Sequence, residues 1–301
     1  MRAPLGVIAG ALAILPWLGG TSAAEPRDEG ATAGFTKGLL FEITTEGVAP
    51  SYLFATIHSD DPRVLALPAP VRAAFDGTSV FVMEAIPDAE AIRKATALTR
   101  FSSGEKLRDV LPAKLYDMTV AAVASRGLSA DAIQDTKPWA LVTLLSAPAP
   151  SGGGGEVLDL YLYRTALAQG KPAVGLETLD EQASLFDQLS EADQVALLQQ
   201  TLAVYPELRL VFQRLVAAYL RRDLSALVQL SDMYDKWGSA ELAERFHRIA
   251  IDERNQRMAE RLVPMLSEGG RFIAVGALHL PGSGGLLERL VDQGYQVRAI
   301  Y

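Results

Sequence analysis

Four short apolar runs, each followed closely by a histidine or a glutamate, constrain this chain more than any other feature of its sequence. Residues 51–57 lead to His58, 79–83 to Glu84, 172–176 to Glu177, and 271–276 stand just ahead of His279. The runs are too short for buried helices, and β-branched and aromatic residues recur in them, so they read as strands. In an open parallel sheet the ligand crevice forms beyond the carboxyl ends of the strands. His58, Glu84, Glu177 and His279 therefore share one topological address, although the two histidines stand near opposite ends of the chain. Those two account for most of the 3 histidines in 301 residues.

The stretches between these runs set the expected architecture. Residues 39–44 and 51–57 form a hairpin across the Glu46-Gly47-Val48-Ala49-Pro50 turn. A short helix over 68–75 and the strand ending at Glu84 make a first βαβ unit with a parallel pairing. Residues 88–145 are helical by period, with stops near Gly104 and Gly127, and Lys137-Pro138-Trp139 opens a helix because proline is tolerated in a first turn. The four glycines 152–155 read as a mobile loop, the alternative being a domain boundary. A helix over 157–169 leads into the strand before Glu177. Residues 179–268 are a long helical insertion without a fixed-period repeat. A turn over Gly282-Ser283-Gly284-Gly285, a helix over 286–293 and a strand over 295–300 complete a second βαβ unit. The expected class is α/β, a mixed, mainly parallel sheet from paired βαβ units with a large helical insertion.

The amino end reads separately. Arg2, an apolar run from Leu5 to Leu18 and the small residues Gly19 to Ala24 have the pattern of a secretory signal peptide cleaved near Ala24. Pro16 interrupts the run, which falls short of the ~20 apolar residues of a spanning helix; an uncleaved membrane anchor is the alternative. The expected division is a signal peptide over 1–24, a disordered leader over 25–34 and one folded domain over 35–301, periplasmic or secreted, with no stable membrane span after cleavage. The chain has no cysteine, which removes disulfides and thiolate ligands from consideration. Its formal net charge of −8 comes with no basic face, and nucleic acid is excluded as a partner.

Two imidazoles and a carboxylate converging on one open position form a familiar site for zinc or another divalent cation. Gly276 fits close backbone approach just before the His279 loop. Each residue also has a plainer reading. His58 and His279 could bond loop carbonyls, Glu84 could pair structurally with Arg254, and Glu177 could either support the site from behind or cap the next helix. Asp60 and Asp61 read as solvated turn residues and His247 as a surface residue. The Gly282-Ser283-Gly284-Gly285 turn could cradle an anion at a helix start or be a tight turn only.

Taken in order, the motifs resemble the TraB/GumN proteins, the family that includes the Tiki metalloproteases. The resemblance rests on Tyr52-Leu53-Phe54-Ala55-Thr56-Ile57-His58, Phe81-Val82-Met83-Glu84 and Lys137-Pro138-Trp139. It continues through Gly175-Leu176-Glu177-Thr178, Glu181-Gln182, Arg254-Asn255 and Val275-Gly276-Ala277-Leu278-His279-Leu280. It implies that His58 and His279 are the paired histidines of the family's Gly-x-x-His motifs, and that Glu84 and Arg254 match its characteristic glutamate and arginine. Ala55 departs from the pattern, standing where the first glycine belongs. The resemblance implies a metal-dependent hydrolase fold similar to erythromycin esterase-like proteins, with Tiki members similar to manganese- or cobalt-dependent peptidases. The expectation is a hydrolase of a peptide or small-molecule substrate using a divalent ion (Mn, Co or Zn). His58, His279 and Glu84 would hold the metal or activate water, Arg254 would orient Glu84 or stabilise an oxyanion, and Glu177 would lie behind them. A metal-free esterase-like site, or a non-catalytic periplasmic protein binding a peptide, a signal or haem, are the competing readings.

Overall fold

The computed structural model describes residues 34–148, 155–235 and 240–301. The expected signal peptide, the leader up to Ala33, and Gly152, Gly153 and Gly154 lie outside the described residues. The strands are β1 (Leu40–Thr44), β2 (Ser51–Thr56), β3 (Val80–Ala85), β4 (Ala173–Glu177), β5 (Arg271–Gly276) and β6 (Gln296–Ala299). They form one six-stranded sheet in the order β4-β3-β5-β2-β1-β6. The pairs β4/β3, β3/β5 and β5/β2 are parallel, while β1 runs antiparallel to both β2 and β6. The sheet is thus mixed and mainly parallel, as its apolar runs imply.

One expectation about pairing is corrected. β2 and β3 point the same way, but they are not neighbours, because β5 from the far end of the chain lies between them. Likewise β6 pairs with β1 and not with β5. The two βαβ units interleave, and that interleaving brings residues from both ends of the chain to one sheet edge. At that edge Thr56 stands opposite Gly276, and Ala85 opposite Glu177.

The sheet is held by an aromatic cluster on one face. Phe75, from helix Ala69–Gly77, meets Phe272 edge-on at 5.1 Å and Phe81 at 5.9 Å between ring centroids. Aromatic contacts of this kind contribute ~0.5–1.5 kcal/mol beyond the area they bury. A second core lies within the helical part, where the fully buried Trp139 stacks on Phe186 at 5.0 Å and Phe246 closes the group. Trp139 Nε1 donates to Asp187 Oδ1 at 3.1 Å, so burying the indole leaves no unpaired donor. Pro138 sits in the first turn of helix Pro138–Ser146, as its sequence position implies. Helix Glu253–Glu268 ends at Gly269, whose φ of 66° is left-handed, and a Cβ there would come within 2.4 Å of Ala49 O. Only glycine turns the chain into β5 at that point.

The helix after β4 begins with a reciprocal cap. Thr178 Oγ1 accepts the Glu181 N–H at 3.1 Å, and Glu181 Oε2 accepts the Thr178 N–H at 2.8 Å. Arg261 adds two hydrogen bonds to the same carboxylate, at 2.7 and 2.9 Å. These bonds, Arg261 first, outweigh the opposing effect of burial and hold the Glu181 carboxyl at about 2. The unfolded chain then binds this proton more readily than the folded one. The contribution to stability is complete above the ordinary glutamate range and fades as pH falls toward 2. Solvent screens this half-buried pair, so the expected effect is about 1 kcal/mol. Urea denaturation at pH 6 and pH 3 should show wild type losing about that much more stability than Glu181→Gln.

Candidate active site

Glu84 is the second-last residue of β3, and its buried carboxylate lies under the β5 edge. Its Oε1 accepts the Gly276 N–H at 2.8 Å, and its Oε2 accepts Arg254 Nη2 at 2.5 Å. Arg254 is itself buried. Its Nε donates to Glu177 Oε2 at 2.9 Å, and Arg257 Nη1 reaches Glu177 Oε1 at 3.0 Å. Gln182 Nε2 sits between the two carboxylates, at 3.4 Å from Glu84 and 3.3 Å from Glu177. Burial alone would push the Glu84 carboxyl up, but Arg254, then His279, then the Gly276 N–H draw it down to about 2. The opposing charges hold the Arg254 guanidinium above its ordinary range despite burial. Glu177 is thus committed to two arginines, while Thr178 caps the following helix.

A five-residue π-helical turn, Arg248–Asp252, runs directly into helix Glu253–Glu268. Such a turn carries one residue more than an α-turn and rotates the face that follows it. Arg254 and Asn255 stand just beyond it, both buried. Asn255 Nδ2 donates to Gly284 O at 3.1 Å, which leaves Oδ1 to face His279 Nδ1 at 2.7 Å. His279 Nδ1 is therefore the protonated nitrogen, and Nε2 keeps its lone pair. Burial, with Arg254 as the next cause, lowers the His279 pKa to about 3. The imidazole is neutral at physiological pH.

His58 is held by a different partner. Its Nδ1 lies 2.9 Å from Asp159 Oδ2, an oxygen with no other partner, and Thr56 Oγ1 donates to Asp159 Oδ1 at 2.5 Å. Burial disfavours the imidazolium, but the charge and hydrogen bond of Asp159, with Glu84 behind them, raise the His58 pKa above the usual imidazole value. Asp159 is carried by helix Leu158–Ala168. Two contacts fix that helix start against the loop after β2: Leu158 N–H to Ser59 O at 3.2 Å and Gly155 N–H to Asp60 Oδ2 at 3.1 Å. Asp60 is consequently buried and not a solvated turn residue, because it receives a backbone donor across the fold. Asp61 instead caps helix Pro62–Leu65.

Asp159 was not singled out by the sequence. Its only signal is a carboxylate in the apolar string Val157-Leu158-Asp159-Leu160. His247 is half-buried and 3.6 Å from Asp252. The turn after His279 is a tight turn: its Gly284 N–H is taken by Glu288 of the following helix at 2.7 Å.

The Ala55 departure has a register explanation. Ala55 pairs with Val275, and it is Thr56 that stands opposite Gly276. A Cβ on Gly276 would press on Glu84 Oε1 at 3.1 Å and approach His279 Cδ2 at 3.7 Å, so a side chain there would push the Glu84 carboxylate by a few tenths of an ångström. Ala55 is fully buried without strain, and its carbonyl accepts the Tyr219 hydroxyl at 2.8 Å.

His58 and Glu84, with Asp159 and Gln182, line a small recess of about 30 Å³, a volume that admits a water molecule. His58 also lines a larger cleft of about 610 Å³. Among the described residues no three His, Asp or Glu side chains are grouped closely enough to enclose a metal ion. The two imidazoles still suit one in donor chemistry. Each has Nδ1 fixed by an oxygen, which leaves Nε2 as a ready ligand.

The model of the TraB/PrgY/gumN family matches residues 39–299. The chain is 27% identical over 299 residues to metalloprotease TIKI2 of Danio rerio, covering 82% of this chain and 58% of that protein. It is 26% identical over 299 residues to human metalloprotease TIKI1, covering 82% of this chain and 59% of that one. To the uncharacterized protein YbaP of Shigella flexneri it is 23% identical over 252 residues, covering 83% of this chain and 90% of YbaP. The chain thus spans a little over half the length of the TIKI relatives. No solved structure matches it.

Proposed function

The chain belongs to the TraB/PrgY/gumN family, and from that premise we propose that it is a metal-dependent, peptidase-like hydrolase exported to the periplasm or beyond. The observation that carries the reading is the pair of adjoining spaces at His58, a water-sized recess walled by Glu84 and a cleft large enough for substrate. The export rests on the signal-like residues 1–24. No helix among the described residues is long and apolar enough to cross a membrane.

His58 and His279 would hold the ion through Nε2, oriented by Asp159 and Asn255. A divalent ion there supplies Lewis acidity to a carbonyl and lowers the pKa of water. Glu84, with its carboxyl at about 2, stays ionised through the physiological range and is a weak proton acceptor. Its contribution is a fixed negative charge beside the recess, with Arg254 setting its position. With Nδ1 engaged by Asp159 and Nε2 on the ion, His58 would act as a ligand in this reading and not as a proton carrier.

The test is elemental analysis of purified protein together with cleavage of a fluorogenic peptide mixture. Wild type is expected to retain about one ion per chain, and His58→Ala and His279→Ala to lose both metal and cleavage. Equal occupancy in all three proteins would remove the metal assignment. The His58–Asp159 contact favours one second reading, a metal-free hydrolase with His58 as general base. Activity that survives a chelator would select it.

A further inference from the structure

The 610 Å³ cleft beyond His58 lies within the size range of ligand pockets, ~300–1,000 Å³. One wall is a single stripe of helix Leu208–Leu220, where Leu208, Phe212 and Val216 recur at four-residue spacing. Ile57 faces the cleft from the strand-end loop that carries His58. Tyr219, on the same helix, fixes the wall to the β2 end through Ala55 O at 2.8 Å.

The charges along this cleft are unbalanced. Three arginines line it against one carboxylate, in a chain whose formal net charge is −8. Arg63 is satisfied by that carboxylate, Asp61, at 3.0 and 2.7 Å. Arg126 is spent on Tyr205 Oη and on the carbonyls of Leu145 and Ala147, at 3.1, 3.0 and 2.6 Å. Arg209 is exposed at the rim and, among the described residues, has no hydrogen bond or ion pair. An apolar stripe beside one unspent guanidinium is complementary to an apolar side chain close to a carboxylate.

We propose that this cleft is a substrate groove for acidic peptides, seating an apolar side chain against Phe212 and Val216 and a nearby carboxylate on Arg209. The assignment deepens the hydrolase reading and rests on it for the identity of the bond beside His58. It makes Arg209 a specificity residue with no part in the chemical step.

Binding tests it independently of turnover. Three fluorescein-labelled heptapeptides share a Leu-Phe core and carry Glu, Gln or Lys at the flanking positions, and their affinities for the full chain are read by fluorescence anisotropy. The Glu peptide is expected to bind about 10-fold more tightly than the Gln peptide at low salt, with the advantage shrinking as salt rises. Arg209→Glu should transfer the preference to the Lys peptide, and Arg209→Lys should keep it for Glu. Arg209 is exposed, so these variants leave the core untouched. Equal affinity for the Glu and Gln peptides, or a preference indifferent to Arg209→Glu, overturns the proposal. A Glu preference without cleavage of any peptide leaves the groove standing and removes the hydrolase reading. Cleavage without charge preference does the reverse.

Discussion

Replacing Arg254 with leucine is expected to lower the stability of the fold by about 3–5 kcal/mol. The loss does not equal the strength of the ion pairs that Arg254 makes. Arg254 lies between two buried carboxylates, with Glu84 at 2.5 Å and Glu177 at 2.8 Å. Removing the guanidinium leaves Glu84 with only the Gly276 N–H, the long Gln182 contact and the little water that the adjoining 30 Å³ space holds, too few partners for a buried charge. Glu177 fares better, because Arg257 remains 3.0 Å away. Most of the penalty therefore falls on Glu84. The double variant Arg254→Leu/Glu84→Leu should recover a substantial part of the loss, since a paired charge can be exchanged for apolar packing at little cost. Urea denaturation of the two variants and wild type, compared by midpoint at constant slope, measures both quantities. A single variant within about 1 kcal/mol of wild type would mean that water reaches Glu84 far more freely than its burial implies.

The parts of this site that were legible in the sequence are those fixed by strand-scale patterns. An apolar run closing on Glu84 or Glu177 marks both a strand and the end at which a parallel sheet presents ligands. His58 and His279 are recognisable for the same reason. Strand order was not legible, because nothing local to residues 271–276 records that they insert between β2 and β3. The register was hidden with it, and so was the close approach of Gly276 to the Glu84 carboxylate. Asp159 and Asn255 were missed as orienting groups for a related reason. Each lies on a helix, where a carboxylate or an amide is ordinary, and each gains its role only from a histidine contributed by another element. The π-helical turn ahead of Arg254 leaves no mark in a 3.6-residue periodicity read over a mixed segment.

Glu84→Gln is expected to reduce kcat by about 10²–10³-fold while lowering stability by about 1–3 kcal/mol. The substitution is nearly isosteric, so the effect comes from charge and donor count. Every polar group that faces Glu84 within hydrogen-bond distance is a donor: the Gly276 N–H, Arg254 Nη2 and Gln182 Nε2. A glutamine can turn its oxygen to Gly276 or to Arg254, but its amide nitrogen then opposes the other donor. The histidines lose a neighbouring charge at the same time, which removes one of the causes that raise His58 and one that works against the depression of His279. Glu84→Asp separates these contributions. It keeps the charge but shortens the side chain by one methylene, so the carboxylate gives up either the Gly276 contact or the Arg254 contact. Steady-state kinetics on a cleaved fluorogenic peptide, read beside the thermal midpoints, distinguish the outcomes. If kcat is retained while both variants melt early, Glu84 holds the sheet edge together and takes no part in the chemistry. If kcat falls by the stated factor in Glu84→Gln and is partly restored in Glu84→Asp, the fixed negative charge beside the water-sized recess is what the reaction requires.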